Sequence, residues 1–148
     1  MNILFDRVDW DSNAGPYWFA KKLAQTFQQK KHDSYYGHNP DIDYDVQLTF
    51  VEASQIIDKL PLVQRLDGIW YNTKTEYKKM NEPIKQTYDI ADGVIFQSKF
   101  DRDFICHHFG DHKNYTIIHN GADINLIETM PPAEGLDAYD DVWMCASS

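Results

Sequence analysis

The stretch Asn2-Ile3-Leu4-Phe5-Asp6, followed by Asn13-Ala14-Gly15-Pro16 and then by Phe19, Ala20, Leu23, Ala24 and Phe27 at helical spacing, decides the fold class. A short apolar strand runs through a glycine-containing loop into an amphipathic helix. Pro16 suits the first helical position, because its φ is already helical and its missing N–H is not needed there; Gly15 then sits at or beside the N-cap. Free N–H groups and the helix dipole at such a start favour a bound anion, and a glycine lets it come close to the backbone. A Gly-Pro pair can also do no more than turn the chain. Its position directly after the first strand favours the ligand-facing reading, that of a nucleotide-handling α/β unit. The three spaced glycines of a dinucleotide fingerprint are absent, as is a P-loop Lys-Ser/Thr, so neither NAD binding nor ATP hydrolysis is indicated.

The rest of the chain repeats this alternation. Tyr35-Tyr36 in a polar, turn-rich stretch allows a short edge strand, and Asp45 to Val51 reads as a strand. Pro61 to Ile69 holds the next strand, ending near Arg65 to Asp67, where polar groups at a strand's C-terminal end mark the ligand side of open α/β sheets. Thr73-Lys74-Thr75-Glu76 predicts a capping box for a helix carrying Tyr77 and Met80, which Pro83 breaks or restarts before Ile84, Tyr88 and Ala91. Val94 to Gln97 reads as a buried strand. Ser98 caps a helix with Phe100, Phe104, Ile105 and Phe109 inward and Gly110 at its end. Tyr115 to His119 is the last strand before Asn120-Gly121. No partner strand follows that Asn-Gly pair, so it is expected as a loop at the sheet's C-terminal edge rather than a hairpin turn. Strands separated by helices imply right-handed crossovers and a mostly parallel, Rossmann-like sheet with helices on both faces.

At 148 residues the chain can bury roughly 70% of the surface its unfolded form exposes. A net charge of −9 argues against a general nucleic-acid binder, which needs clustered Lys and Arg. Cys106 and Cys145 lack metal-type spacing and read as reduced, and the six histidines form no zinc-type set, so no metal is expected. No run approaches the roughly 18 apolar residues of a membrane span, and the start lacks a signal peptide's apolar core. A cytoplasmic protein is expected, with loose attachment to a membrane surface left open.

Four motifs in order carry a family resemblance. Asn13-x-Gly15-Pro16-x-x-Phe19-Ala20-x-x-Leu23, Gln64-Arg65-Leu66-Asp67-Gly68, Asp92-Gly93-Val94-Ile95-Phe96-Gln97-Ser98-x-Phe100 and Ile117-Ile118-His119-Asn120-Gly121-Ala122-Asp123 together resemble the N-terminal half of GT-B glycosyltransferases, nearest to the large family 4 group. That resemblance implies sugar transfer from a nucleotide-sugar to a glycan, lipid or other acceptor, with no metal and no cofactor. It implies an acceptor-side domain over residues 1–127, a linker over 128–141 around Pro131-Pro132, and at 142–148 the first strand of a donor-binding domain that a separate chain could supply. By the same resemblance Asn13, Gly15 and Pro16 approach the donor diphosphate, and Arg65, Asp67, Gln97, Ser98, Asn120, Gly121 and Asp123 line or shape the cleft.

Two departures stand beside it. The paired glutamates of the donor half have no counterpart, since Glu128 and Glu134 differ in spacing and place, and Arg65 and Asp67 stand where many members carry a histidine. The chain alone is therefore expected to transfer no sugar, and a non-catalytic glycan- or nucleotide-binding module of the same fold is the alternative. Asp67 is the candidate proton acceptor, although an Asp beside an Arg also forms structural ion pairs. Asn120 and Asp123 have a plain reading as loop caps. Trp10, Tyr17 and Trp18 around the first loop could stack on a sugar face, with at least one of them expected in the core.

Overall fold

The structure, a computed structural model, describes residues 1–12, 15–122, 124–131 and 134–135. Along the chain it forms β1 (Asn2–Asp6), α1 (Gly15–Gln29), β2 (Asp33–Tyr36), β3 (Val46–Phe50), β4 (Leu62–Leu66), α2 (Tyr77–Ile90), β5 (Gly93–Phe96), α3 (Lys99–Phe109), β6 (Tyr115–Ile117) and α4 (Ile124–Thr129). All six strands join one parallel sheet in the order β2-β1-β3-β4-β5-β6. The expected Rossmann-like α/β class holds, and the polar stretch around Tyr35 is indeed an edge strand. Asn120-Gly121 leaves the last strand as a loop. Asn13, Asp123, most of the expected linker and the strand expected over 142–148 lie outside the described residues.

Crossover direction divides the helices between the two faces. α1 leads from β1 to β2, whereas α2 and α3 lead the opposite way, from β4 to β5 and from β5 to β6; right-handed crossovers of opposite direction put their helices on opposite faces. Strand alternation then builds two cores. Ile3, Phe5, Leu48 and Phe50 pack with Phe19, Ala20, Leu23 and Phe27 of α1. Leu62, Leu66, Val94 and Phe96 pack with Ile84 and Tyr88 of α2 and Ile105 of α3. Each of the larger buried chains contributes on the order of 1.5–3 kcal/mol by leaving water.

Two strand connections, β2 to β3 and β3 to β4, have no helix, and the second packs on the sheet. Residues 51–61 run from β3 to β4, and the strand side chains on that side are polar: Gln47, Thr49 and Gln64 are fully buried. They answer backbone groups of the covering loop, which would otherwise lose water without a partner. Gln47 Nε2 donates to the Gln55 carbonyl at 2.7 Å, Thr49 Oγ1 to that of Glu52 at 2.6 Å, and Gln64 Nε2 to that of Val51 at 2.6 Å.

Local expectations fail in three places. The Thr73–Glu76 capping box does not form: Glu76 is the N-cap of α2 without a side-chain bond, and the preceding turn closes on Asn72, whose Oδ1 accepts from Lys74 N at 3.0 Å. Pro83 does not interrupt α2, because it sits on the exposed side, where water can serve the Lys79 carbonyl left without its amide. Phe100 is exposed rather than inward, at 74%. Ser98 does cap α3, accepting from Asp101 N at 3.0 Å, and Gly110 ends that helix at φ 94°.

Ser98→Ala should therefore lower unfolding free energy by about 1 kcal/mol, whereas Thr73→Ala should change it by less than about 0.5 kcal/mol. Denaturant melts of both variants followed by circular dichroism check the contrast.

Candidate functional site

The crossovers reverse direction between β1 and β3, and open α/β sheets bind ligands beyond the strand ends at such a point. Asp6 ends β1 there and is buried, accepting from Ser54 N at 2.7 Å, from the Ser54 hydroxyl, and from Gln47 Nε2 at 3.2 Å. Val51, just past β3, has φ 72°. A β-branched residue rarely adopts that conformation, and such strain concentrates at functional edges. The tie from Gln64 to its carbonyl and the bond from Val51 N to the Arg65 carbonyl at 3.0 Å hold it in place.

Arg65 occupies the inner end of β4 and is only 5% exposed. A buried guanidinium requires partners on several sides. Its Cζ lies 3.8 Å from the centre of the Phe19 ring of α1, and Nη2 donates to Asn120 Oδ1 at 2.9 Å. Asn120 in turn donates to Gln97 Oε1. Nη1 is 4.0 Å from Asp67. Burial lowers the Arg65 pKa from its ordinary value, and the Asp67 and Asp101 carboxylates oppose that shift. Burial likewise raises Asp67 above the usual aspartate range, with Arg65 pulling it back down and Asp101 adding to the rise.

Two concave spaces flank this cluster. On the α1 side a cavity of about 610 Å³ is bounded by Gly15, Phe19, Lys22, Asn120 and Gly121. An added Cβ at Gly15 would meet nothing within 4 Å, so neither packing nor backbone conformation demands glycine there. On the opposite side a cavity of about 720 Å³ is lined by Asp67, Ile69, Trp70, Tyr71, Phe100 and Asp101. Gly68, at φ 139°, makes the turn that presents the aromatic pair. The buried Asn81 amide then fixes it: Asn81 Oδ1 accepts from Trp70 N at 2.8 Å and Asn81 Nδ2 donates to the Trp70 carbonyl at 2.7 Å. Phe100 stacks on Phe104 with centroids 5.9 Å apart, and Tyr71 meets Phe104 edge-on at 5.7 Å.

The expected residues thus gather at one sheet edge. Arg65, Asp67, Gln97 and Asn120 form one cluster, with Gly15 and Gly121 on a shared cavity wall. Ser98 is engaged in the α3 cap, its hydroxyl also donating to Asp101 Oδ2 at 3.0 Å. Trp70, Tyr71, Phe100 and Asp101 were not singled out as site residues by the sequence. The available signal was a Trp-Tyr pair in a loop directly after Asp67-Gly68, since adjacent aromatics in a loop have little core to enter. Trp10 and Trp18 are part-exposed rather than in the core; Trp18 stands on the rim of the α1-side cavity, whereas Trp10 borders only the outer side of α1. Among the described residues no group of three or more His, Cys, Asp or Glu could hold a metal ion, and no helix is long and apolar enough to cross a membrane. Comparison with protein-family models gives no match for this chain, and no curated protein matches it significantly.

Asn120→Leu should destabilise the chain by about 1–3 kcal/mol, because it strips a buried charged donor of its acceptor; denaturant unfolding measures this. Asp67 gives a pH test. Its raised folded-state pKa means that its contribution to stability is complete below the unfolded value near 3.8 and is lost as pH rises through the shifted one. Relative to Asp67→Asn, wild-type stability should therefore fall as pH climbs from below 3.8 and level off above the folded-state value, as thermal melts across that range would reveal.

Proposed function

We propose that this chain is the acceptor-side domain of a GT-B-type glycosyltransferase, moving a hexosyl group from a nucleotide-sugar to a hydroxyl of a glycan, lipid or other acceptor. The observation that carries the reading is the convergence of the first helix, the end of β4 and the Asn120-Gly121 loop on one buried arginine, with a concave space on either side. The α1-side space suits a donor diphosphate. It has the amide end of α1 at Gly15, an open approach to the backbone, and Lys22 on its rim. The opposite space suits an acceptor with an apolar body, since aromatic rings stack on sugar faces or aglycones while Asp67 and Asp101 accept hydroxyl hydrogen bonds.

In this reading the chain's own residues position and polarise. Asp67 orients the acceptor hydroxyl and takes its proton as the oxygen attacks the anomeric carbon, and Arg65 fixes the carboxylate. The nucleoside diphosphate departs toward the amide groups of α1, which stabilise its growing charge. A donor-binding domain, on this chain or another, completes the cleft. The net charge of −9 and the cysteine usage fit a cytoplasmic setting, with or without peripheral attachment to a membrane.

Titrating the chain with octyl β-glucoside should shift amide resonances of Asp67, Ile69 and Trp70. Asp67→Asn and Trp70→Ala should each weaken that binding by about tenfold, equivalent to about 1.4 kcal/mol. UDP or GDP should instead perturb Gly15 and Asn120, and Gly15→Val should suppress that response while leaving the melting temperature nearly unchanged. With a donor-binding domain supplied, Asp67→Asn should lower kcat by about 10²–10⁴. Failure of both ligand classes to perturb the two spaces would overturn the reading.

A further inference from the structure

We propose that the groove between the outer side of α1 and the edge strand β2 binds a saccharide that carries a negative charge. Helical spacing places Trp18, Lys21, Lys22, Gln25 and Gln28 along one face of α1, separate from the apolar stripe of Phe19, Leu23 and Phe27 that enters the core. This second stripe faces Ser34 and Tyr36 of β2, with Trp10 closing one end, and the cavity between them is about 630 Å³. That volume suits a disaccharide-sized ligand.

Three features specify the ligand. First, Trp10 and Trp18 keep 36% and 49% of their surface in water and border the same hollow. Indole faces suit the C–H faces of sugar rings as well as other flat bodies. Second, the groove also carries neutral hydrogen-bonding groups of the kind that match hydroxyls. The amides of Gln25 and Gln28 line it, and the buried Ser34 Oγ has no hydrogen-bond partner among the described residues. Buried hydroxyls are normally satisfied, so this one is consistent with a ligand group arriving. Backbone alternation adds to this: Asp33 N donates to the Met1 carbonyl at 2.9 Å, which turns the peptide groups of Ser34 toward the open edge.

Third, the local charge is opposite to that of the chain. Against a net charge of −9, the groove brings together Lys21, Lys22 and His32 with a single carboxylate, Asp33. Lys21 Nζ donates to the Ser12 carbonyl at 2.8 Å and lies 5.8 Å from the centre of the Trp10 ring, while Lys22 Nζ lies 5.2 Å from that of Trp18. Each ammonium is thus held beside an indole, and Lys21 has further N–H groups to offer. An anion is repelled by an acidic surface and drawn to a place such as this, where cations adjoin indole faces. A carboxylate, phosphate or sulfate on a sugar ring meets all three requirements together.

Trp18 and Lys22 form a ridge shared with the cavity beside Gly15, so the test uses Trp10 and Lys21, which line the outer groove alone. Calorimetric titration of the full chain with digalacturonate should give binding at least tenfold tighter than its neutral dimethyl ester, and raised salt should weaken it. Trp10→Ala should weaken both ligands by about tenfold. Lys21→Gln should abolish the preference for the charged one, Lys21→Arg should keep it, and Asp67→Asn should leave both affinities unchanged. Should a variant fail to fold, chemical-shift changes at Gln28, Ser34 and Tyr36 of the wild-type chain decide the matter. Absence of binding, equal affinity for the ester, no shifts at those three residues, or tighter binding of hexaglutamate would overturn the proposal, the last by making the groove a peptide-binding edge.

Discussion

A guanidinium that is almost wholly out of water is the constraint around which this domain's ligand edge is arranged. Arg65 cannot shed its proton at any ordinary pH, so its burial has to be met by geometry. A face of Phe19, the amide oxygen of Asn120 and the carboxylate of Asp67 meet it from three directions. Those groups belong to the first helix, to the loop after the last strand and to the loop after β4. Removing any one leaves the charge under-compensated, which couples three segments that are distant in sequence more tightly than apolar contact would.

The same edge depends on an unusual sheet face. Where a crossover helix would normally cover β3, a loop does so, and the strands answer with Gln47, Thr49 and Gln64 in place of aliphatic residues. Each polar side chain holds a specific loop carbonyl. The loop is thereby fixed where an apolar surface would let it slide, and it carries Val51 in a left-handed conformation and Ser54 against Asp6. Polar burial here is a positioning device, and it extends the rigid part of the molecule to the strand ends where the two cavities open.

How much of this could be read from the sequence depends on the range of the interaction. The strand Leu62–Leu66, buried on both faces, and the apolar strand Gly93–Phe96 announce themselves by composition, and Ser98 and Gly110 mark the ends of α3 by local chemistry. The Thr73–Glu76 box failed because Asn72 competes for the same turn, and Asx turns and capping boxes draw on the same backbone groups. Phe100 was assigned to the core by helical spacing, yet the first turn of α3 projects beyond the sheet edge, where there is no core to enter. The cluster around Arg65 was legible as a set of strand-end residues. Its burial, and the clamp of Asn81 on Trp70, depend on contacts 11 to 55 residues apart that no local pattern encodes.

Arg65 and Asp67 also link the two cavities electrostatically. Arg65 points to the α1 side, where Phe19 and Asn120 hold it, while Asp67 lines the aromatic side. The arginine's charge favours the ionised form of Asp67, against the burial that opposes it. An anion settling beside Gly15 would offset that positive charge and draw the guanidinium toward itself. Both effects raise the proton affinity of Asp67. In the proposed reaction the occupied donor space would therefore make the carboxylate across the sheet edge a stronger base, at the moment when an acceptor hydroxyl has to lose its proton.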